Sequence, residues 1–370
     1  MESTPLQVGD RVRAHIEKVA HGGHFIARVD GIVLFVRHAI PGEEVLVEIT
    51  EITKSFARAD VVEVLTASPD RVTPPCSYAG RCGGCDFQHI SYSRQRELKA
   101  DVIKEQFARI AKMEISVTVE ECGEALGWRV RATATADHNG KIGFYSSRSH
   151  DVVAIEDCLV MHPSTNFAKR AKERYQPGQK VVITPEVGVV GNQNLKISEA
   201  SFWQGHINAP TVLTQAIVDM VEIKPGDHIF DLYGGVGLFT SAILDAIGPG
   251  GRVDVIEGSK EAVRDAEKNF EDSPHVFVHH GSVEKLLTRF KRADVVILDP
   301  PRDGAGKKVV EAIADLKPRA IAYISCDPAS LARDTAYVRD CGYTLERLRA
   351  FDLFPMTHHI ESIALYRAMG

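Results

Sequence analysis

The sequence lacks the features that mark membrane-spanning, secreted and low-complexity chains. It contains no apolar run of about 18 residues, the length that crosses a bilayer as a helix. Its first residues, MESTPLQVGD, have no apolar core of the kind found in secretory leaders. The 29 glycines and 17 prolines in 370 residues are too few for a collagen-like or low-complexity chain. We therefore expect a globular, cytoplasmic protein of two or three domains with no membrane partner.

Positive charge is not in excess over the chain as a whole. The formal net charge is −6, with 44 Lys and Arg against 50 Asp and Glu. Between residues 128 and 180, however, nine Lys or Arg stand against five Asp or Glu. A basic middle in an acidic chain is compatible with a local nucleic-acid surface, although ordinary solvated surface explains a modest excess equally well.

Cysteine is scarce and unevenly spread, since three of the seven fall between Cys76 and Cys85. In a cytosolic chain, clustered cysteines indicate metal ligands or catalysts rather than disulfides. The spacing C-x5-C-x2-C, with Gly83 and Gly84 inside it, lets Cys76, Cys82 and Cys85 converge on one metal centre. From spacing alone, zinc and an iron–sulfur cluster both stay open.

The order of apolar runs predicts three parts. Residues 6–64 hold short Val- and Ile-rich runs separated by glycine turns, which predicts a small OB-like β-barrel. A proline-rich linker, the cysteines, a helix over about 92–110 and a β-rich or α+β region follow. From about residue 209, strands alternate with helices, which predicts a doubly wound α/β domain. The domain boundaries that we expect are 1–67, 68–205 and 206–370.

A glycine loop marks the first unit of the α/β domain. The strand HIFDLY runs into GGVG (234–237), but Thr240 stands where a dinucleotide fingerprint needs its last glycine. Glu257 ends the next strand, where a carboxylate that holds ribose hydroxyls is expected. With Asp231 beside the loop, this pattern favours S-adenosylmethionine over NAD, whose pyrophosphate needs more glycine. An ordinary tight turn between strand and helix is the alternative.

Three further polar residues are expected at strand ends, where ligands bind in such sheets. Asp299 follows the fourth strand in DPPR, Cys326 follows the fifth in ISCDP, and Glu361 opens the last strand. A buried structural role is the commoner fate of a lone cysteine, but Cys326 leaves an apolar strand for a polar turn where its thiolate could be partly exposed. A thiolate that adds to C6 of a pyrimidine makes C5 nucleophilic, and a base must then remove the C5 proton. Cys326 and Glu361 are the candidates for these two roles.

The chain resembles the family of S-adenosylmethionine-dependent RNA uridine-C5 methyltransferases, which form 5-methyluridine. Its motifs occur here in the family's order: SFWQ (201–204), DLYGGVGLF (231–239), DPPR (299–302), YISCDPASLARD (323–334) and HHIES (358–362). The N-terminal barrel resembles a TRAM domain. The resemblance spans nearly the whole chain, and SCDPASLARD is its most specific piece.

The resemblance implies a fold, a ligand set and a partner. The fold is a TRAM barrel, a central α+β domain with an iron–sulfur cluster, and a C-terminal doubly wound, Rossmann-like methyltransferase domain. It makes Cys326 the nucleophile and Glu361 the base, and the S-adenosylmethionine contacts would be Gln204, Tyr233, Glu257 and Asp299. It adds Cys158 as the fourth ligand of a structural or RNA-positioning [4Fe–4S] cluster with Cys76, Cys82 and Cys85. The expected substrate is structured RNA, ribosomal RNA before transfer RNA, bound by a monomer.

The chain departs from the family pattern at several positions. Gly205 and His206 stand where many relatives have Val-Asn, and Leu238 stands where an Asn is usual. Ser282 is a further possible cofactor contact. A non-catalytic RNA-binding iron–sulfur protein and a cytosine-C5 enzyme are the alternatives to the uridine reaction.

Basic and aromatic residues of the middle region are expected to contact RNA. The candidates for phosphate contacts are Arg129, Arg131, Arg148 and the basic residues Lys169, Arg170, Lys172 and Arg174 of a helix predicted near 165–175, with solvated surface as the alternative. Phe87 or Trp128 is expected to stack on a base that is exposed in a loop or flipped out of a stem.

Overall fold

The structure, a computed structural model, describes residues 6–369. Five strands form a closed barrel in the order β1-β2-β3-β5-β4, as the sequence predicts. Its interior is filled by alternating apolar side chains such as Ile16, Phe25, Leu34 and Val47, all fully buried. The strands are β1 (Arg11–Ala20), β2 (His24–Val29), β3 (Ile32–Arg37), β4 (Glu44–Ile52) and β5 (Phe56–Thr66).

The cysteine segment and one helix connect the barrel to the rest of the chain. Helix α1 (Tyr92–Gln106) continues into a single wider turn over Phe107–Ala111, which confirms the predicted helix. Its buried face, with Leu98 and Ile103, packs against β1 of the barrel and against the last helix of the chain.

The middle region contains a four-stranded antiparallel sheet, ordered β10-β7-β8-β9, and a two-stranded ribbon, β11-β12. The helix predicted near 165–175 is wrong in length, since helix α2 covers only Phe167–Arg170. Beyond it the chain leaves the helix, and the Tyr175 N–H donates to the Gly140 carbonyl (3.1 Å). The strands are β7 (Ala132–Ala136), β8 (Ile142–Tyr145), β9 (Val152–Ala154), β10 (Lys180–Ile183), β11 (Val187–Val190) and β12 (Gln193–Lys196).

The last part is a doubly wound domain around an eight-stranded sheet, ordered β15-β14-β13-β16-β17-β19-β18-β6. The strands from β13 to β17 are parallel and nearly continuously apolar, because helices cover both faces. The strands are β13 (His228–Leu232), β14 (Arg252–Glu257), β15 (Val276–His280), β16 (Val295–Leu298), β17 (Ala320–Ser325), β18 (Tyr343–Asp352) and β19 (Glu361–Ala368). The helices are α3 (Ala209–Val221), α4 (Leu238–Ile247), α5 (Lys260–Asn269), α6 (Val283–Leu287), α7 (Lys307–Asp315) and α8 (Pro328–Asp340).

One strand crosses the expected domain boundary. Strand β6 (Val119–Glu121) comes from the middle of the sequence but pairs in parallel with β18 at the edge of the large sheet. The Arg349 guanidinium donates two hydrogen bonds to the Glu120 carboxylate (2.8 and 2.7 Å) and fixes this edge. We propose the domain division 1–67, 68–205 and 206–370, in which β6 of the middle part adds a strand to the sheet of the last part. Across residues 6–369, no helix is both long enough and apolar enough to cross a membrane.

Candidate active site

A cleft of about 1030 Å³ opens at the carboxyl ends of the parallel strands. This is the edge at which doubly wound sheets bind ligands. The two residues predicted to be catalytic and the four predicted to contact the cofactor all line it: Gln204, Tyr233, Glu257, Asp299, Cys326 and Glu361. The structure therefore brings the predicted set together, and the individual roles stay predictions.

The glycine loop at the start of α4 is built around one close approach. Gly237 has a φ of +94°, and a Cβ at this position would overlap the Phe270 ring. The Glu257 carboxylate stabilises the loop, since it accepts hydrogen bonds from the backbone N–H groups of Gly235 (3.0 Å) and Ser259 (2.6 Å). The loop conformation thus requires glycine at position 237, and the backbone hydrogen bonds hold the Glu257 carboxylate beside the loop.

Three carboxyl groups lie in or under the cleft, of which Asp231 and Glu361 are buried and Asp299 is partly buried. Asp231 accepts two hydrogen bonds from Thr240 through Oδ2, and its Oδ1 has no partner in the described chain. Burial, and then the charge of Asp231, raises the pKa of Asp299, which accepts a hydrogen bond from the Gln204 amide (3.3 Å). Burial, and then Asp299, raises the pKa of Glu361 well above its usual range, and Glu361 Oε1 is also without a partner. A carboxyl with a raised pKa can act as a base close to neutral pH.

The Cys326 thiol stands directly after β17, in the turn that starts α8. Burial raises its pKa to about 12, and the neighbouring Glu361 and Asp299 charges act in the same direction. Arg302 lowers this pKa, but less strongly. Cys326 is partly exposed, as the sequence predicts, and burial together with the neighbouring carboxylates favours its thiol form in the RNA-free protein.

The four cysteines of the predicted cluster line one cavity, next to the cleft. They come from two segments of the chain, Cys76–Cys85 and the loop at Cys158. The Arg129 side chain lines the same cavity. Among residues 6–369, no three His, Cys, Asp or Glu side chains are placed to hold a single metal ion. All seven cysteines are free thiols in the structure.

The aromatic residues at the cleft differ from the expected ones. Phe87 and Trp128 are 1% and 3% exposed, so neither presents an open ring face to an RNA base in the RNA-free protein, and a stacking role stays a prediction. Trp128 instead stacks on the buried His206 ring, with ring centroids 5.5 Å apart. Phe202 is 56% exposed at the cleft, with the Arg131 guanidinium 5.3 Å from its ring centre. Sequence reasoning missed it, although an aromatic beside the Gln204 motif was the available signal.

The departures from the family pattern fall into two groups. Leu238 and His206 are buried and do not line the cleft, and Leu238 belongs to the apolar core. Gly205 and Ser282 do line it, and Gly205 accepts a backbone hydrogen bond from Val130 (2.8 Å). The unusual residues therefore alter the support of the cleft more than its lining.

Comparisons with known proteins agree with this architecture. Residues 5–62 match the TRAM domain, and residues 282–368 match the family described as tRNA (Uracil-5-)-methyltransferase. An RNA methyltransferase of Streptomyces avermitilis is 39% identical over 97% of this chain and 98% of its own length. One of Caldanaerobacter subterraneus is 30% identical over 98% and 99%.

A solved structure shows the same fold. The tRNA (uracil-54, C5)-methyltransferase of Pyrococcus abyssi, in complex with S-adenosyl-L-homocysteine, superposes with a TM-score of 0.71 and 21% identity. The match covers 95% of this chain and 99% of that one. From the TRAM barrel, the methyltransferase fold and the full-length relatives, the chain belongs to the TRAM-containing RNA methyltransferases of the tRNA (uracil-5-)-methyltransferase family.

Proposed function

We propose that the protein transfers a methyl group from S-adenosylmethionine to C5 of a uridine in structured RNA. The observation that carries the proposal is the presence of Cys326 and Glu361 in one cleft with the polar set around Asp299. A thiol and a buried carboxyl beside a cofactor site are the groups that covalent C5 methylation requires. Full-length relatives named RNA methyltransferases support the same reaction.

The uracil ring explains why both groups are needed. C5 is a weak nucleophile until another nucleophile has added to C6. In the proposed sequence the Cys326 thiolate forms a bond to C6, and the C5=C6 electrons move into an enolate that ends on O4. When bound, S-adenosylmethionine supplies an electrophilic methyl group to C5 of that enolate. Glu361 then takes the C5 proton, the C5=C6 bond re-forms, and the C6–S bond breaks to release the thiolate.

The cleft offers polar groups that suit the cofactor. Asp231 Oδ1 and Glu361 Oε1 are buried and unpaired within the described residues, which is unusual unless a ligand or water meets them. The Glu257 oxygens each accept one backbone hydrogen bond and keep lone pairs for ribose hydroxyls. We propose that S-adenosylmethionine is held by Gln204, Tyr233, Glu257 and Asp299.

The first prediction tests the nucleophile. We expect Cys326→Ala to abolish methylation, because no other thiol lines the described cleft. Wild-type protein should form a stable covalent adduct with RNA that contains 5-fluorouridine, since the C5 fluorine cannot leave as a proton, and Cys326→Ala should form none. Cys341→Ala is the matched control, because Cys341 is a partly exposed thiol at the far end of α8. An unchanged adduct in Cys326→Ala would disprove the assignment.

The RNA partner is open to direct assay. We expect ribosomal RNA as the substrate, because the predicted cysteine cluster resembles that of relatives that act on ribosomal RNA. Transfer RNA is the second candidate, because the Pyrococcus abyssi enzyme is named for a tRNA substrate. Anaerobically purified protein should be given labelled S-adenosylmethionine and each unmodified RNA class, and the product nucleoside identified by mass. 5-Methyluridine in one class would identify the substrate, and 5-methylcytidine would favour the cytosine alternative. Bound RNA without methylation would favour the non-catalytic alternative.

We also propose that Cys76, Cys82, Cys85 and Cys158 hold a [4Fe–4S] cluster. The donor set fits, since four cysteines line one cavity and a cluster of this type takes four thiolates. Arg129, largely buried on the cavity wall, supplies a positive charge next to them. Such a cluster would cross-link the 76–85 segment to the loop at 158, which is a structural role, since methyl transfer moves no electron.

The second prediction tests this cluster. Protein purified without oxygen should be brown, with broad absorbance near ~400 nm and about four iron atoms per chain. Cys82→Ser should lose the colour and most of the iron, whereas Cys122→Ser should keep both, because Cys122 is buried outside the cavity. A colourless wild-type protein that carries zinc would contradict the proposal.

A further inference from the structure

The barrel contacts the catalytic domain through its first turn. The residues that join β1 to β2, His21, Gly22 and Gly23, line a small cavity with Cys326 and His358. The turn therefore lies against both catalytic loops, namely the one that carries the nucleophile and the one that leads to the base.

His21 makes the contact to the nucleophile loop. Its Nε2 lies 2.8 Å from Asp327 Oδ2, although the two residues are 306 positions apart in the chain. Asp327 is the residue after Cys326 and also the N-cap of α8, since its Oδ1 accepts a hydrogen bond from the Ser330 N–H (2.7 Å). One carboxylate thus connects the barrel to the first turn of α8 and to the peptide of the nucleophile.

The other side of the nucleophile is held as well. The Ser325 hydroxyl accepts a hydrogen bond from the Asp327 N–H (3.2 Å), which closes a tight turn around Cys326. His21, from outside this domain, binds the Asp327 oxygen that the cap leaves free.

The same turn also abuts the loop that precedes Glu361. Asp86 accepts a hydrogen bond from the His358 N–H (2.9 Å), and its second oxygen contacts the His358 ring. Gly23, at φ +78°, packs directly on this pair, and a Cβ there would lie 2.5 Å from Asp86 Oδ2 and 2.8 Å from His358 Nδ1. The barrel turn is therefore seated between the two catalytic loops and is not a loosely attached arm.

We propose that His21 is a positioning residue for Cys326: by holding Asp327, the barrel turn sets the place of the nucleophile relative to C6 of the uridine. This inference rests on the function proposed above. His21 does not line the cleft that holds the six site residues, so it acts through Asp327. The TRAM barrel is then a part of the catalytic centre, in addition to any contact that it makes with RNA.

The expected effect is on rate and not on binding or folding. Both partners are partly exposed, so the contact between His21 and Asp327 adds little to global stability. Small displacements of a reacting group, in contrast, reduce rates strongly. We expect His21→Ala to lower kcat by about 10-fold, with the KM for RNA and the Kd for S-adenosylmethionine within about twofold of wild type. His21→Gln should recover most of the rate, because its amide can donate to Asp327.

A matched control lies on the same barrel. His15 contacts the Glu44 carboxylate at 2.7 Å on a surface away from both catalytic loops. His15→Ala should leave kcat unchanged.

A double variant, His21→Ala with Asp327→Asn, should be no slower than Asp327→Asn alone, because the two residues act as one unit.

A second measurement tests the positioning without methylation. Hydrogen exchange in the RNA-free protein should become faster in peptides that cover residues 324–331 in His21→Ala, but not in His15→Ala. If the wild-type protein methylates no RNA, the proposed function fails while hydrogen exchange still decides the positioning role. Unchanged exchange over 324–331 would overturn the inference, and so would a raised KM for RNA with unchanged kcat, which would make His21 an RNA contact.

Discussion

The Glu361 side chain is buried, and one of its carboxyl oxygens has no hydrogen-bond partner among the described residues. Burial, and then the charge of Asp299, raises the pKa of this carboxyl. Glu361→Gln keeps the shape of the side chain but cannot accept the C5 proton. We expect thiol addition and methyl transfer to proceed and turnover to fall by about 10²–10⁴-fold, which is the usual contribution of a general base. The methylated RNA should then accumulate as a covalent adduct with ordinary uridine substrate, visible as a protein–RNA band in denaturing gels.

Glu284→Gln is the control for this substitution, because Glu284 also lines the cleft but is about half exposed. Full turnover in Glu361→Gln would exclude the role of the base. At this scale the sequence motifs name six residues that the structure brings to one cleft, and their individual roles stay predictions. The burial of Phe87 and Trp128 and the charges around Cys326 could not be predicted, because they depend on neighbours that are distant in sequence.

At the scale of elements, Asp254 ties three parallel strands together. Its buried carboxylate on β14 meets His228 on β13 and His279 on β15, each at 2.6 Å, and the Arg252 guanidinium. These partners lower the pKa of Asp254, although burial alone would raise it. Because the folded pKa lies below the unfolded value of about 3.9, the stabilisation is present above pH ~4 and is lost as the pH falls further.

We therefore expect Asp254→Asn to lower the free energy of unfolding by about 1–3 kcal/mol at pH 7. The difference from wild type should shrink below pH ~4, where the Asp254 carboxyl takes up a proton in the unfolded chain while it is still ionised in the folded protein. Urea unfolding at several pH values measures this, with exposed Asp245→Asn on α4 as the control. A difference that is independent of pH would point to packing rather than charge.

The elements also show where sequence reasoning stops. The barrel, α1 and the alternating strands and helices follow from local apolar periodicity, and all are present. The pairing of β6 with β18 does not, because a three-residue strand has no detectable period and its partner lies more than 220 residues away. The shortness of α2 also escaped prediction, because the path of the chain after Arg170, where Tyr175 bonds to Gly140, depends on a contact that is distant in sequence.

At the scale of the whole molecule, the barrel and the central sheet meet at a positively charged surface. The Arg58 guanidinium lies over the rings of Phe56 (5.2 Å) and Phe35 (5.8 Å), and Arg148 from the central region approaches the same place, near Glu51. Burial lowers the pKa of His24 most, and the charges of Arg148 and Arg58 lower it further, which shows that both guanidinium groups lie close to the His24 ring. Two arginines that share one carboxylate partner, Glu51, beside the partly buried rings of Phe35 and Phe56, are suited to an RNA backbone.

If RNA runs across this junction to the cleft, reversing these charges should weaken its binding without changing the chemistry. We expect Arg58→Glu with Arg148→Glu to raise the KM for RNA by about 10-fold or more at physiological salt and to reduce the salt dependence of binding by roughly one to two phosphate contacts. The Kd for S-adenosylmethionine and the rate at saturating RNA should stay the same. Arg292→Glu is the control, because Arg292 is 81% exposed just before β16, at the end of the sheet opposite the cleft. An equal loss of RNA affinity in Arg292→Glu would show a general charge effect. A loss confined to the junction variant would place the RNA across the barrel, in agreement with the position of the first barrel turn next to Cys326.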